Sequence, residues 1–225
     1  MSVAGKPAGS PVVIAIDGPA ASGKGTLAKR LARRFGYAYL ESGRLYRAVA
    51  AKALDAGIDP ASEAEATQIA QHLVAADFEH PKLYDAATTK AASKVAVHGG
   101  VRAALLAFQR DFAVHPPGEA PGVVIDGRDI GTVVCPDADH KIYLTATPEI
   151  RAERRVRQLR EQGVEAIYLR VLADIQDRDR QDETRQHSPL ARAQDAHLLD
   201  TSALDADQAF TQALALIEAD PKPAD

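Results

Sequence analysis

One short stretch near the start of the chain constrains the fold more than any other feature. The apolar run 12–16, V-V-I-A-I, leads into Asp17-Gly18-Pro19-Ala20-Ala21-Ser22-Gly23-Lys24-Gly25-Thr26, and a helical pattern follows, with Leu27, Leu31 and Phe35 at i, i+4 and i+8. Two glycines five apart, followed by lysine, let the backbone curl so that successive N–H groups point inward at a polyphosphate. The helix behind the loop adds the partial positive charge of its N-terminus. Lys24 supplies a mobile point charge for the β- and γ-phosphates, and the chemistry also needs a nearby hydroxyl to ligate Mg²⁺. Ser or Thr usually follows the lysine directly; here Gly25 takes that place and Thr26 comes next. The candidate nucleotide-binding set is Gly18, Pro19, Ala20, Ala21, Ser22, Gly23, Lys24, Gly25 and Thr26. The loop alone does not separate an enzyme from a protein that only binds nucleotide.

Strand-length apolar runs bounded by Gly, Asp or Pro recur at 12–16, 37–40, 123–125, 141–144 and 197–199. None alternates cleanly, which is how strands buried on both faces read. Helical patterns separate them: Val101, Leu105, Phe108 and Phe112, then Phe210, Leu214 and Ile217. Strands alternating with helices imply parallel pairing through right-handed crossovers and a three-layer α/β domain. Two stretches, 45–113 and 148–189, are helical without strands and read as excursions from the sheet. The second opens with five arginines between Arg151 and Arg160. One domain over 12–220 is expected, with core segments 12–44, 114–147 and 190–218 and flexible ends at 1–11 and 221–225.

Bulk properties narrow the partners. The chain has 225 residues, 46% hydrophobic and 26% charged, as ordinary globular domains do. Its 27 basic against 31 acidic side chains leave a net charge of −4, which gives no electrostatic case for a nucleic-acid partner, so any anion site is local. The single cysteine, Cys135, points to a reducing compartment and reads as a small buried hydrophobe. No apolar run approaches the roughly 20 residues of a membrane span. A cytoplasmic protein without a membrane partner is expected.

Phosphoryl transfer works mainly by positioning and charge neutralisation, so a second anion site must face the first. After the second apolar run comes Glu41-Ser42-Gly43-Arg44-Leu45-Tyr46-Arg47, in which Ser42 is expected to N-cap a helix and Arg47 to lie about one turn in. After the third comes Asp126-Gly127-Arg128-Asp129. Asp126, ending an apolar strand beside the loop, is placed to hold the water shell of a Mg²⁺ ligated by Thr26. Arg178, Asp182 and Arg185 fall at i, i+4 and i+7, so one helical face presents all three.

These motifs, in order, resemble the bacterial-type cytidylate kinases: G-P-A-A-S-G-K-G-T, E-S-G-R-L-Y-R, A-A-S-K-V-A followed by V-R, D-G-R-D-I-G-T-V-V-C-P-D-A, and R-D-R-Q-D-E-T-R with S-P-L after it. The resemblance runs from Val12 to about Leu204. It implies a P-loop NTPase fold with a five-stranded parallel core, an acceptor-binding subdomain (45–113) and a mobile lid (148–189). It also implies transfer of the ATP γ-phosphate to CMP or dCMP by a monomer acting in pyrimidine nucleotide metabolism. By the same resemblance Ser42, Arg47, Ser93, Arg102, Arg128, Asp129, Arg178, Asp182 and Arg185 line the acceptor or clamp the moving phosphate, and Lys24, Arg128, Asp129, Arg178 and Arg185 carry catalysis. Cytosine offers an N4 donor and O2 and N3 acceptors, which suits Asp129 on one edge and Arg102 with Ser93 on the other. Arg47 and Arg128 then hold the CMP phosphate, Arg178 and Asp182 bracket the ribose, Arg185 reaches the phosphates, and the 151–160 arginines close over the γ-phosphoryl group. Two positions depart from the pattern. Glu41 replaces the usual Asp, and a shortened segment, D-F-E-H-P-K-L-Y-D-A-A, puts Tyr84 where an Arg is expected. A kinase for AMP or shikimate is the same-fold alternative, and a nucleotide-driven switch the alternative of another class.

Overall fold

The computed structural model describes residues 9–219. Most of the expected N-terminal end, and all of the expected C-terminal one, therefore lies outside the described residues. Among these residues the strands are β1 (Val12–Asp17), β2 (Ala38–Glu41), β3 (Gly122–Gly127), β4 (His140–Thr145) and β5 (His197–Asp200), at the five positions the apolar runs predict. They form one parallel sheet in the order β2-β3-β1-β4-β5. β1 is central, and the register pairs Ile16 with Asp126 and Asp17 with Gly127. The carboxylates that end β1 and β3 thus come out at the same edge of the sheet, the carboxyl edge, where open α/β sheets hold ligands.

Strand alternation divides the core. Ile14, Ile16, Val124, Ile142 and Leu144 face α1 (Lys24–Phe35) and α8 (Ala206–Ala219), burying Leu27, Leu31 and Ile217. Val13, Ala15, Val123 and Ile125 face the opposite layer. That layer is built from α2 (Ser42–Asp55), α3 (Glu63–Gln71), α4 (Ala86–Val95) and α5 (Gly99–Val114). Both faces of the central strands are therefore dry, which is why their sequences show no alternation of polarity. On α8 the face turned inward is Ala209, Ala213 and Ile217, one position off the Phe210-Leu214 stripe, whose side chains are half-buried.

The two excursions are helical. Between β2 and β3 lie α2 to α5 with a short 3₁₀ turn, Ala75–Glu79, and no strand. Between β4 and β5 lie α6 (Pro148–Glu161) and α7 (Tyr168–Thr184), joined as a hairpin with its own small core of Ala152, Val156, Val171 and Ile175. Thr147 caps α6, its hydroxyl accepting the Ile150 N–H at 3.4 Å, and Pro148 at the first helical position needs no donor. Ser42 opens α2 from inside the helix and is not its cap; that place is taken by Glu41, whose side chain makes no capping hydrogen bond to the helix. Arg185 lies one residue beyond α7 in extended backbone, so the end of the helix, not its face, presents it. Cys135 follows a π-helical turn, Ile130–Val134, and packs half-buried against the larger core.

Candidate active site

The loop between β1 and α1 can be formed only by this kind of sequence. At Gly18 φ is +146°, and a Cβ there would lie 1.9 Å from the Leu144 carbonyl oxygen. Gly23 and Ala21 are also left-handed, with φ of +96° and +58°, and Gly23 heads α1 with no side chain capping the first N–H groups. Left-handed residues in such a turn aim successive amides into one concavity. Lys24 is buried inside it, its ammonium donating to the Pro19 carbonyl at 2.7 Å and reaching the Ser22 hydroxyl at 3.5 Å. Burial, and next the nearby Arg128 guanidinium, hold the Lys24 ammonium well below its ordinary pKa. The repulsion shows that the phosphate loop and the arginine after β3 converge.

Asp126 stands beside this loop. A Cβ on Gly25 would stand in ordinary contact with its carboxylate, at 3.4 Å, which puts Asp126 directly beside the first turn of α1. Tyr39 donates weakly to Asp126 at 3.5 Å. Burial raises the Asp126 pKa to about 6, against the opposing pull of Lys24. Thr26 lies exposed in the first turn of the same helix. A hydroxyl and a buried carboxylate with weak protein hydrogen bonding, at one helix N-terminus, are donors that suit a hydrated Mg²⁺ bridged by phosphates. Among the described residues no cluster of three His, Cys, Asp or Glu forms an all-protein metal cage.

Sequence reasoning missed Asp17, although it ends an apolar strand just as Asp126 does. It accepts the backbone N–H groups of Ile130 and Gly131 at 2.8 and 2.7 Å. Burial raises its pKa to about 6 despite those two bonds. By gripping this turn, Asp17 fixes Arg128 and Asp129 relative to the phosphate loop.

The arginines sort into two groups. Arg128 donates through Nε to Asp182 at 2.8 Å; burial works against its charge, but the Asp182 carboxylate holds its pKa above the ordinary value. Arg178 makes no ion pair among the described residues, and its pKa falls to about 10 through burial first, then Arg128, with Arg47 and Arg155 adding repulsion. Arg47, Arg128, Arg155 and Arg178 thus form one cationic cluster, and Arg128 is the member whose charge acts on Lys24. The second group surrounds Asp129. Arg102 forms a buried ion pair with it, and Arg185 approaches the other carboxylate oxygen at 3.7 Å and Asp182 at 3.6 Å. The Nε of Arg102 and an Nη of Arg185 are buried with no hydrogen-bond partner among the described residues. Tyr46 lies under Arg102, 5.5 Å from ring centroid to guanidinium, and burial lifts its hydroxyl pKa to about 12. Beside this group opens a cavity of about 180 Å³ lined by Tyr46, Arg102, Asp129 and His187.

The remaining predicted residues are less closely joined. Ser93 on α4 reaches only the Thr89 carbonyl of its own helix, at 3.5 Å. Ser42 packs its hydroxyl where a Cβ on Gly127 would be, 2.5 Å away. The 151–160 arginines do not act together. Arg151 is buried, donating to the Ala146 and Ala20 carbonyls and pairing with Asp179. Arg154 is bound to Thr201 and the Leu204 carbonyl. Arg155 donates to the Gln158 side chain at 2.8 Å, and burial first and the Arg47 charge next lower its pKa.

A glycine-bounded phosphate loop on the central strand of a parallel sheet, faced by an arginine cluster at the same edge, defines a P-loop kinase. The sequence matches the family model described as cytidylate kinase over residues 14–219. It is 56% identical over 205 residues to a cytidylate kinase of Paramagnetospirillum magneticum, covering 91% of this chain and 97% of that one. A Xanthobacter autotrophicus cytidylate kinase is 53% identical, covering 92% and 98%. The chain belongs to the cytidylate kinase family. Among solved structures, an uncharacterized protein from Eubacterium ventriosum superposes with a TM-score of 0.55 at 15% identity, covering 92% of this chain and 99% of that one. A gluconokinase from Sinorhizobium meliloti superposes with a TM-score of 0.51 at 16% identity, covering 93% of each. These two share the fold.

Proposed function

We propose that this chain phosphorylates CMP, and dCMP with it, at the expense of ATP, releasing CDP or dCDP and ADP. The observation that carries the reading is the buried Lys24 of the phosphate loop at the carboxyl edge of the sheet, where β3 also brings Asp126 and, just past its end, Arg128; burial first, and the Arg128 charge next, lower the lysine's pKa. Two cationic sites on separate elements that repel each other in this way suit two polyanions brought end to end.

Each group has a part that follows from its position. The loop amides and Lys24 hold the β- and γ-phosphates of the donor, and Thr26 with Asp126 would hold Mg²⁺. Bound there, the ion withdraws charge from the phosphoryl oxygens. Asp129 accepts from the cytosine N4 amine, while the unpartnered donors of Arg102 and Arg185 meet O2 and N3. Asp182 turns to the ribose. Arg47 and Arg128 orient the acceptor phosphate, and Arg178 and Arg155 neutralise the charge that accumulates on the transferring group. This assignment moves Arg178 to the phosphates and Arg185 to the base, since Arg178 belongs to the cationic cluster with Arg128 and Arg185 to the Asp129 group. The acceptor phosphate is already a nucleophile, so no general base or covalent intermediate is needed. Closure of the α6–α7 hairpin excludes water, which would otherwise take the phosphoryl group.

Among the described residues no helix is long and apolar enough to cross a membrane. A monomer in the cytoplasm, supplying pyrimidine nucleotide metabolism, is the setting that accords with this chemistry. The test is ADP formation from ATP with Mg²⁺ and CMP, dCMP, UMP, AMP or no acceptor. Rapid, EDTA-sensitive turnover with CMP and dCMP is expected. Preference for AMP, or hydrolysis independent of acceptor, would reject the reading.

A further inference from the structure

Glu41 and Tyr84, 43 positions apart in the chain, meet at one arginine. Glu41 ends β2 and pairs through Oε1 with Arg47. The Tyr84 hydroxyl donates to the other carboxylate oxygen, Oε2, at 3.0 Å. The Tyr84 ring in turn lies over the Arg47 guanidinium, 5.0 Å from centroid to carbon. The three side chains close a ring in which each touches the other two. Tyr84 is carried by a segment stitched to α2 from the outside: Arg44 donates to the Phe78 carbonyl at 2.7 Å, and Lys82 and His80 reach Asp55 at 2.8 and 2.9 Å. Tyr84 itself is 56% exposed, so it can leave without disturbing the core.

The charges around this ring give it a purpose. Arg47 contributes to the repulsion that lowers the pKa of Arg155 and Arg178. Glu41 offsets part of that surplus, but it also adds to the forces raising the Asp126 pKa, and it is a like charge for any phosphate brought to Arg47. A monoanionic carboxylate already seated on the arginine must give way to an incoming anion, and a phosphate dianion is the stronger partner for a guanidinium.

We propose that Glu41, held in place by Tyr84, is a resident competitor for the acceptor-phosphate arginine Arg47, so that this chain admits acceptors by the charge of their phosphate. Glu41 is the specificity-determining residue, and Tyr84 is a positioning residue acting through it. The inference rests on the proposed function, because it takes Arg47 as the partner of the acceptor phosphate.

The experiment is calorimetric titration of the intact protein with CMP and with cytidine, together with the KM for CMP, for the parent, Glu41→Gln, Tyr84→Phe and the double variant. Loss of the competing charge tightens CMP by about three- to tenfold in Glu41→Gln, the scale of a partly buried ion pair. Tyr84→Phe keeps the ring over Arg47 and removes only the hydroxyl; it tightens CMP by a smaller factor. The double variant matches Glu41→Gln alone, because the tyrosine acts through the glutamate. Cytidine, which has no phosphate, binds all four proteins alike. A merely structural role predicts the opposite, weaker CMP binding alongside a lower melting temperature. A parent that binds CMP while both single variants bind it equally or more weakly overturns this inference alone. A parent that neither binds nor phosphorylates CMP overturns the proposed function and this inference with it. Tyr84→Phe, exposed and conservative, keeps the test decisive should Glu41→Gln fold poorly.

Discussion

Arg151 and Asp179 form a two-pronged ion pair, 2.9 and 2.5 Å, between α6 and α7, and the same guanidinium donates to the Ala20 carbonyl of the phosphate loop. One side chain therefore fastens the α6–α7 hairpin to itself and to the phosphate loop. Arg151→Met leaves the Asp179 carboxylate largely buried and unpaired, which costs about 3–5 kcal/mol. For a domain of this size that lowers the melting temperature by about 10 °C, read by differential scanning calorimetry. Arg151→Lys restores little, since an ammonium cannot span both carboxylate oxygens and two carbonyls. A variant as stable as the parent would show that the pair is ornamental.

Lys24 and Arg178 should behave in the contrary way. Both are charged groups whose pKa is lowered by burial and by neighbouring arginines, so the fold bears a cost in keeping them. Arg178→Met and Lys24→Ala are expected to melt at or above the parent temperature while turnover with ATP and CMP falls by about 10³-fold. Stability gained where activity is lost is the mark of a group kept for its work on phosphate.

A pH dependence follows from the carboxylates ending β1 and β3. The pKa values of Asp17 and Asp126 are raised from 3.8 to about 6 by burial. Between those values the folded state holds protons that the unfolded chain has released, so this contribution to stability is complete below about pH 4 and is lost as pH rises through 6. Asp126→Asn removes its share. Its melting temperature should exceed the parent's by about 2–8 °C at pH 7.5, and the gap should narrow as pH falls through 6 and close below about pH 4. Activity falls by about 10- to 100-fold through weakened Mg²⁺ binding. A gap independent of pH would contradict the burial argument.

Asp129 faces Arg102 and Arg185, and its remaining acceptor capacity suits the cytosine amine. Asp129→Asn keeps the shape and presents a donor where the carboxylate had only acceptors. The ratio of kcat/KM for CMP over UMP is expected to fall by about 10- to 100-fold, because uracil carries a carbonyl at that position. Steady-state kinetics on both nucleotides measures it. An unchanged ratio would move base selection elsewhere.

Much of this was legible in the residues. Five apolar runs of strand length, none alternating, required a parallel sheet dry on both faces, and Gly18, Gly23 and Lys24 required the loop at the end of the first, because backbone sterics at a left-handed turn beside another strand exclude other side chains. The order of the arginine-bearing segments was likewise readable. Pairing was not. Periodicity put Arg185 on the α7 face, but the helix stops at Thr184 and the arginine turns to Asp129 instead. Five arginines in one run looked like a single lid surface, yet Arg151 and Arg154 are tied to carbonyls of the core, while Arg155 binds Gln158 and feels the Arg47 charge. Glu41 and Tyr84, 43 positions apart, gave no sign of sharing Arg47. Local sequence determines where the chain is strand, helix or phosphate loop, since those follow from sterics and hydrophobic period. Which charge meets which is decided only by tertiary structure, because ion pairs depend on through-space distance and burial, and residues far apart along the chain set both.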